Sequence, residues 1–173
     1  FKPNLVFHFA AESHVDRSID YPDHFLDSNI IGTFNLLETI RKYKLSNLQN
    51  NCKEIKLIHI STDEVFGTVE FPHKFNEESK YDPRSPYSAS KASSDHLVNA
   101  WVYTYGIKAL TTNCCNNYGP WQFPEKLIPL TILKALNNQY IPIYGNGENV
   151  REWIFVEDHI NALLTVATKG EIG

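Results

Sequence analysis

Two short stretches carry side chains whose types and spacing could do chemistry. Ser61-Thr62-Asp63-Glu64-Val65-Phe66-Gly67 sets a hydroxyl and two adjacent carboxylates directly after the apolar run EIKLIHI. Neighbouring acids can be driven to different protonation states by their surroundings, leaving one as an acid and the other as a base. Elimination of water needs such a pair, a base for a carbon-bound proton and an acid for the departing hydroxyl. In YSASK, Tyr87 and Lys91 stand four apart on a predicted helix, on one face and about one turn from each other. An ammonium beside a phenol favours the phenolate, so the tyrosine pKa is expected to fall from about 10 toward a value useful to a general base. A third stretch, HFAAESHVDRS (residues 8–18), follows another strand-like run, and its Ala10 and Ala11 would let a ligand approach the backbone closely. Each stretch also has an ordinary structural reading: a half-exposed helix pair, a solvated turn with Asp63 as its cap, and a strand-to-helix connection with a capping serine.

The surrounding elements must bring these stretches together. LVFHF (residues 5–9) reads as a buried strand. From residue 23 to 44, Phe25, Leu26, Ile30, Phe34, Leu37, Ile40 and Tyr43 recur at helical intervals, with Pro22 suited to the first turn. A polar loop over 47–53 leads to a strand over 54–60. Ser85 is a plausible N-cap, Pro86 belongs to the first turn of the next helix, and Gly106 stops it; residues 107–114 return as a strand. The stretch NNYGPWQFPEKLIPL reads as a loop running into a helix over about 127–138. Short strands around a Gly turn and a helix near 157–168 follow. Strands alternating with helices of this length predict an α/β fold, a parallel sheet covered on both faces, with ligands at the carboxyl ends of its strands.

Composition narrows the class. The 173 residues are 42% hydrophobic, enough for one substantial core, and a net charge of -4 with scattered Lys and Arg offers no footprint for nucleic acid. The three cysteines, Cys52, Cys114 and Cys115, read as reduced thiols of a cytoplasmic protein. No run reaches the roughly 20 apolar residues that span a bilayer, so no membrane association is expected. The seven histidines are dispersed and suggest no metal site.

Four blocks, HFAAESHVDRS, ISTDEVFG, PYSASKASSDHLV and NNYGPWQFPEKLIPL with YGNGENVREWIFVEDH, resemble the extended short-chain dehydrogenase/reductase superfamily. Within it they are most similar to the dTDP-glucose 4,6-dehydratases, in that family's order and over nearly the whole chain. The resemblance implies a Rossmann-like doubly wound parallel sheet with part of a smaller substrate-binding region. It implies dehydration of dTDP-glucose to dTDP-4-dehydro-6-deoxyglucose through transient oxidation by bound NAD. By the same resemblance Tyr87 takes the proton of the sugar 4-hydroxyl, Lys91 tunes Tyr87 and holds the nicotinamide ribose, and Thr62 hydrogen bonds the 4-hydroxyl. Glu64 takes the proton of carbon 5, and Asp63 protonates the 6-hydroxyl as water leaves. Phe9, Ala10, Ala11, Glu12, Ser13, Ser28 and Asn117 match positions that line the cofactor. Ser13, Thr62, Asn116, Lys126, Leu127, Pro142, Ile143, Tyr144 and Arg151 match the nucleotide-sugar pocket, where Arg151 would supply a cation for the diphosphate. His14 and Asp16 lie in a family block without an assigned role.

One departure bears on activity. The family opens with a strand and a Gly-rich turn that cradles the cofactor pyrophosphate, whereas the Gly-x-Gly found here, Gly145-Asn146-Gly147, lies late in the chain and in another context. An internal fragment is therefore expected, with the N-terminal strands absent beside residues 5–9, an exposed sheet edge, and weak NAD binding and little turnover by the chain alone. Residues 1–115 are expected to form the later part of the NAD-binding domain. Residues 116–173 are expected to be mostly substrate-binding, with the helix near 157–168 returning to the first part. The expected partners are a nucleotide sugar and either a second copy, as in the family's dimers, or a complementing N-terminal chain. The competing expectations are another nucleotide-sugar epimerase or dehydratase of the superfamily, and a non-catalytic truncated or split-gene subunit.

Overall fold

The computed structural model describes residues 2–47, 54–70, 72–143 and 145–172. The chain divides into two compact units, residues 1–114 with 163–173 and residues 115–162. The polar loop expected over 47–53, including Cys52, lies mostly outside the described residues, as does Tyr144.

In the first unit, β1 (Leu5–His8), β2 (Lys56–Thr62) and β3 (Lys108–Cys114) form a parallel sheet in the order β1-β2-β3. His8 is level with His59, and Thr62 with Cys114. Leu57 and Ile58 point to opposite faces of the central strand, and both are fully buried, so β2 is covered on each side. Leu37 and Ile40 of α3 (Gly32–Asn47) and Val98 of α4 (Pro86–Tyr105) pack with Ile55, Leu57, Ile107 and Ala109 in the main core. The late part of the chain is tied to this sheet by Lys56 Nζ, which donates to the carbonyls of Ala167 at 2.9 Å and Gly170 at 3.2 Å.

Local chemistry sets the ends of α4. The Ser85 side chain accepts from the Ser88 N–H in a reciprocal capping box, Pro86 fills the first position, and Gly106 ends the helix in the left-handed region at φ 62°. The helix expected over 23–44 is instead built in pieces: α2 (Pro22–Phe25), a π-helical turn (Leu26–Ile31) and then α3. The wider turn accompanies the fully buried Asn29, whose carbonyl accepts from Thr33 Oγ1 at 2.7 Å. A short helix, α1 (Val15–Asp20), also precedes α2, and its cap is the ring of His14, which accepts from the Arg17 N–H, not a serine. The strand expected over 54–60 runs on to Thr62, because Ser61 and Thr62 continue the ladder opposite Asn113 and Cys114.

In the second unit, Asn116 to Tyr118 form β4 (Asn116–Tyr118), where the sequence reads as a loop, and pair in parallel with β5 (Trp153–Phe155). Tyr118 and Phe155 bring their rings to 5.6 Å. Around the glycine turn, β5 is the strand found among the described residues, while 145–150 stay irregular with Gly145 and Gly147 at positive φ. The helix α5 (Leu127–Leu136) matches the expected position, and α6 (Val156–Lys169) begins in this unit's stretch of chain. Among the described residues, no helix is long and apolar enough to cross a membrane.

Candidate active site

The acids stand on a short 3-10 turn, Asp63–Phe66, that opens where β2 ends. Thr62 Oγ1 accepts from the Glu64 N–H at 3.2 Å and donates to Asp63 Oδ1 at 3.3 Å, so one hydroxyl caps the turn and orients an acid. Val65 is fully buried and anchors the turn, and its carbonyl accepts from the Asp82 N–H at 2.9 Å. Gly67 leaves the turn at φ 85°, where a Cβ would collide with the Asp82 carbonyl. Phe66 packs on Phe75 at 5.5 Å and edge-on to Tyr81 at 5.3 Å.

Tyr87 sits in the first turn of α4, buried, with Phe25 edge-on at 6.3 Å. Its phenol is pushed well above the ordinary tyrosine value, chiefly by burial and then by the negative charge of Glu64. A hydrogen bond with Thr62 pulls it back, while Cys114 and Asp63 push it further up. Thr62, Asp63, Glu64 and Tyr87 are therefore close enough to feel one another. The direction is opposite to the sequence expectation of a lowered phenol pKa: desolvation and the two carboxylates outweigh the Thr62 hydrogen bond. The Lys91 ammonium is directed to the Ile60 carbonyl at 2.9 Å. Burial lowers the Lys91 pKa, and the Asp95 charge opposes that.

The segment after β1 is held by one side chain. Asn29 Oδ1 accepts from the Glu12 N–H at 2.9 Å, and Asn29 Nδ2 donates to the Glu12 carbonyl at 3.0 Å and to Ser90 Oγ at 2.9 Å. Phe9, Ala10, Glu12 and Ser13 stay exposed and Ala11 and Ser28 half-buried, so a small-residue backbone faces outward beside a clamped turn. Lys91 is near this strand end, since its charge lowers the pKa of His8. An exposed strand end of small residues beside a buried ammonium suits a dinucleotide's sugar and ring.

The remaining candidates lie in the second unit. Asn116 and Asn117 are on β4; Asn117 donates to the Cys115 carbonyl at 3.2 Å, and its Oδ1 is 2.7 Å from His159 Nδ1. Lys126 occupies the N-cap of α5 and Leu127 its first position. Pro142 and Ile143 are exposed in irregular chain, and the exposed Arg151 turns its guanidinium to the Val150 carbonyl at 2.9 Å.

The model of one family, GDP-mannose 4,6 dehydratase, matches residues 1–173. The chain belongs to that family. Over 172 residues it is 54% identical to the dTDP-glucose 4,6-dehydratase of Xanthomonas campestris, an alignment that covers 99% of this chain and 49% of that protein. The crystal structure of DesIV, a dTDP-glucose 4,6-dehydratase from Streptomyces venezuelae with NAD bound, superposes with a TM-score of 0.90 at 42% identity. That match covers 98% of this chain and 50% of DesIV. A UDP-glucuronic acid 4-epimerase from Bacillus cereus, in complex with UDP-glucuronic acid and NAD, superposes at 0.86 with 28% identity, covering 98% of this chain and 52% of the epimerase. The chain spans about half the length of the curated relatives it matches. Its parallel α/β architecture is the Rossmann-like fold of these neighbours.

Three residues of this GDP-mannose 4,6 dehydratase family member escape sequence reasoning: Asn29, His59 and Asp95. Asn29 could have been noticed as a polar residue on the apolar face of its helix. Asp95 continues the Tyr87 and Lys91 face by one more turn, and His59 interrupts an isoleucine-rich strand.

Proposed function

We propose that these residues carry the proton-transfer machinery of an NAD-dependent 4,6-dehydratase acting on dTDP-glucose. The observation that carries this reading is the buried Tyr87 phenol coupled to Thr62, Asp63 and Glu64 at the carboxyl end of the central strand. Similarity to DesIV and to the Xanthomonas dehydratase supports the choice of sugar nucleotide and cofactor. In this reading residues 1–115 serve the cofactor and the chemistry, and residues 116–173 mostly the substrate. The polypeptide works in the cytoplasm, as a dimer.

Bound NAD supplies a hydride acceptor for carbon 4 of the sugar and a donor for carbon 6, with no net consumption. Phe9, Ala10, Ala11, Glu12, Ser13, Ser28 and Asn117 line it, and Lys91, with donors beyond the one given to Ile60, holds its ribose. Thr62 orients the 4-hydroxyl and Tyr87 Oη takes its proton as the phenolate, the form that the positive charges of Lys91 and of the bound nicotinamide would favour against burial and Glu64. Loss of that proton, together with passage of the carbon-4 hydride to the bound NAD, makes the position a ketone, which acidifies carbon 5. A Glu64 carboxylate oxygen then takes the carbon-5 proton while Asp63 gives one to the leaving 6-hydroxyl. Asn116, Lys126, Leu127, Pro142, Ile143, Tyr144 and Arg151, with Ser13 and Thr62, hold the nucleotide sugar.

The structural likeness to the epimerase favours a second reading, return of hydride to the same carbon, which needs Tyr87, Lys91 and a hydroxyl and leaves both acids without a task. The test is product chromatography after incubation with NAD and dTDP-glucose, GDP-mannose or UDP-glucuronic acid, with the Gly-rich unit present in the same chain or added as a second one. A keto-6-deoxy sugar from dTDP-glucose supports the proposal. An epimeric sugar nucleotide, or no product from any of the three, overturns it.

A further inference from the structure

One turn of α4 beyond Lys91 lies a carboxylate that the proposed reaction does not use. Asp95 is fully buried and accepts three hydrogen bonds, from Ser61 Oγ at 2.6 Å, Tyr81 Oη at 2.9 Å and His59 Nε2 at 3.0 Å. Two of the donors, His59 and Ser61, lie on β2, and the third, Tyr81, lies against the acid-bearing turn. Ser61 precedes Thr62 on β2. Tyr81 packs against Phe66, the last residue of the acid-bearing turn, and precedes Asp82, whose N–H holds the Val65 carbonyl. His59 continues to His8, with the two Nδ1 atoms 3.0 Å apart, and His8 precedes Phe9.

The proton count along this chain is constrained. An ionised carboxylate only accepts, so His59 Nε2 carries a proton; Ser94 Oγ, 3.3 Å away, donates to the Lys91 carbonyl at 2.7 Å and can share it. The contact between the two Nδ1 atoms needs one donor and one acceptor. Burial favours the neutral form of both rings and the Lys91 charge works in the same direction, while at His59 the Asp95 hydrogen bond and charge oppose it. A neutral His59 protonated on Nε2 must accept at Nδ1, which leaves His8 as the Nδ1–H donor.

We propose that Asp95 is a positioning residue: through His59 it locks the His59 and His8 rings into opposite tautomers, and through its three donors it holds the ends of β1 and β2 and the acid-bearing turn against the face of α4 that carries Tyr87 and Lys91. The tautomer lock is independent of the proposed reaction, and the effect on turnover rests on it.

The experiment is long-range proton–nitrogen NMR of the full chain labelled with nitrogen-15 in histidine, near neutral pH. His59 is expected as the Nε2–H tautomer and His8 as the Nδ1–H tautomer. In Asp95→Asn the amide can donate to His59 Nε2, so both rings lose the fixed pattern. Ser61→Ala removes one donor, keeps the carboxylate and retains the pattern. A His8 ring protonated on Nε2, or an Asp95→Asn protein with unchanged tautomers, overturns the lock. If Asp95→Asn does not fold, the parent and Ser61→Ala spectra still decide the tautomers. Where the polypeptide turns over dTDP-glucose, Asp95→Asn is expected to lower kcat about 10- to 100-fold with KM little changed, and unaltered kcat overturns the positioning role. A parent without turnover on any sugar nucleotide removes the proposed reaction, and the histidine spectra then decide the lock by themselves.

Discussion

Replacing His8 with asparagine should remove a defined part of the protein's acid sensitivity. His8 is buried, and desolvation, the neighbouring His59 and the Lys91 ammonium lower its pKa from 6.5 to about 4. A folded-state value below the unfolded one means that the fold favours the neutral ring. The associated stability is therefore complete above the unfolded value and is lost as pH falls from 6.5 toward 4. Linkage between those two values gives a loss of about 2 kcal/mol on going from about pH 7.5 to about pH 5, approaching roughly 3 kcal/mol below pH 4. Asparagine keeps an N–H able to reach His59 Nδ1 and does not titrate. Urea unfolding of parent and His8→Asn, followed by tryptophan fluorescence at the two pH values, isolates the term as a difference of differences. Carboxylates and the histidines remote from His8 largely cancel in that comparison. The parent should lose about 2 kcal/mol more than the variant over this interval. Parallel losses in the two proteins would refute the assignment of His8 as a neutral, buried ring.

Other perturbations separate chemistry from scaffold. Tyr87→Phe should cut turnover of dTDP-glucose by about 10²- to 10⁴-fold with the sugar nucleotide still bound, as measured by steady-state kinetics and calorimetry. Glu64→Gln should abolish incorporation of solvent deuterium at carbon 5, read by mass spectrometry of the product. Gly67→Ala forces an alanine to φ 85° and its methyl into the Asp82 carbonyl, which should cost roughly 1–3 kcal/mol and lower the melting temperature. Leu57→Ala, at a fully buried position of the central strand, should cost about 2–5 kcal/mol in urea unfolding.

What could be read from the sequence was decided locally. Ser85, Pro86 and Gly106 place the ends of α4 because capping involves residues within one turn of each other. Ser61 and Thr62 have the composition of a turn, yet they are strand residues, since the ladder to Asn113 and Cys114 and the acceptor for Ser61 Oγ come from distant parts of the chain. Asn116 to Tyr118 mislead for the same reason: their partner strand is Trp153–Phe155. The π-helical turn around Asn29 leaves the apolar periodicity nearly intact while redirecting an amide into Glu12 and Ser90. The sign of the Tyr87 shift was the hardest feature to foresee. Lys91 is its neighbour by spacing, but burial and the charge of Glu64 arrive only with the tertiary fold.

The central strand and α4 explain why hydrocarbon, polar lock and reactive groups follow one another in that order. Residues 57, 59 and 61 share one face of β2. Leu57 packs in the core with Val98, His59 and Ser61 both reach Asp95, and Thr62 at the strand end reaches Tyr87. The strand thus advances along α4 from its later turns to its first, and the acids stand half-buried just past its end. A slip of β2 by one residue would turn Ile58 and Ile60 toward Asp95 and leave a buried carboxylate without its His59 and Ser61 donors, a loss of several kcal/mol. Hydrophobic burial alone discriminates weakly here, because Leu57 and Ile58 are equally buried on the two faces. The carboxylate therefore favours this register, which puts Thr62 at the carboxyl end of the central strand, with Asp63 and Glu64 just past it, beside the phenol.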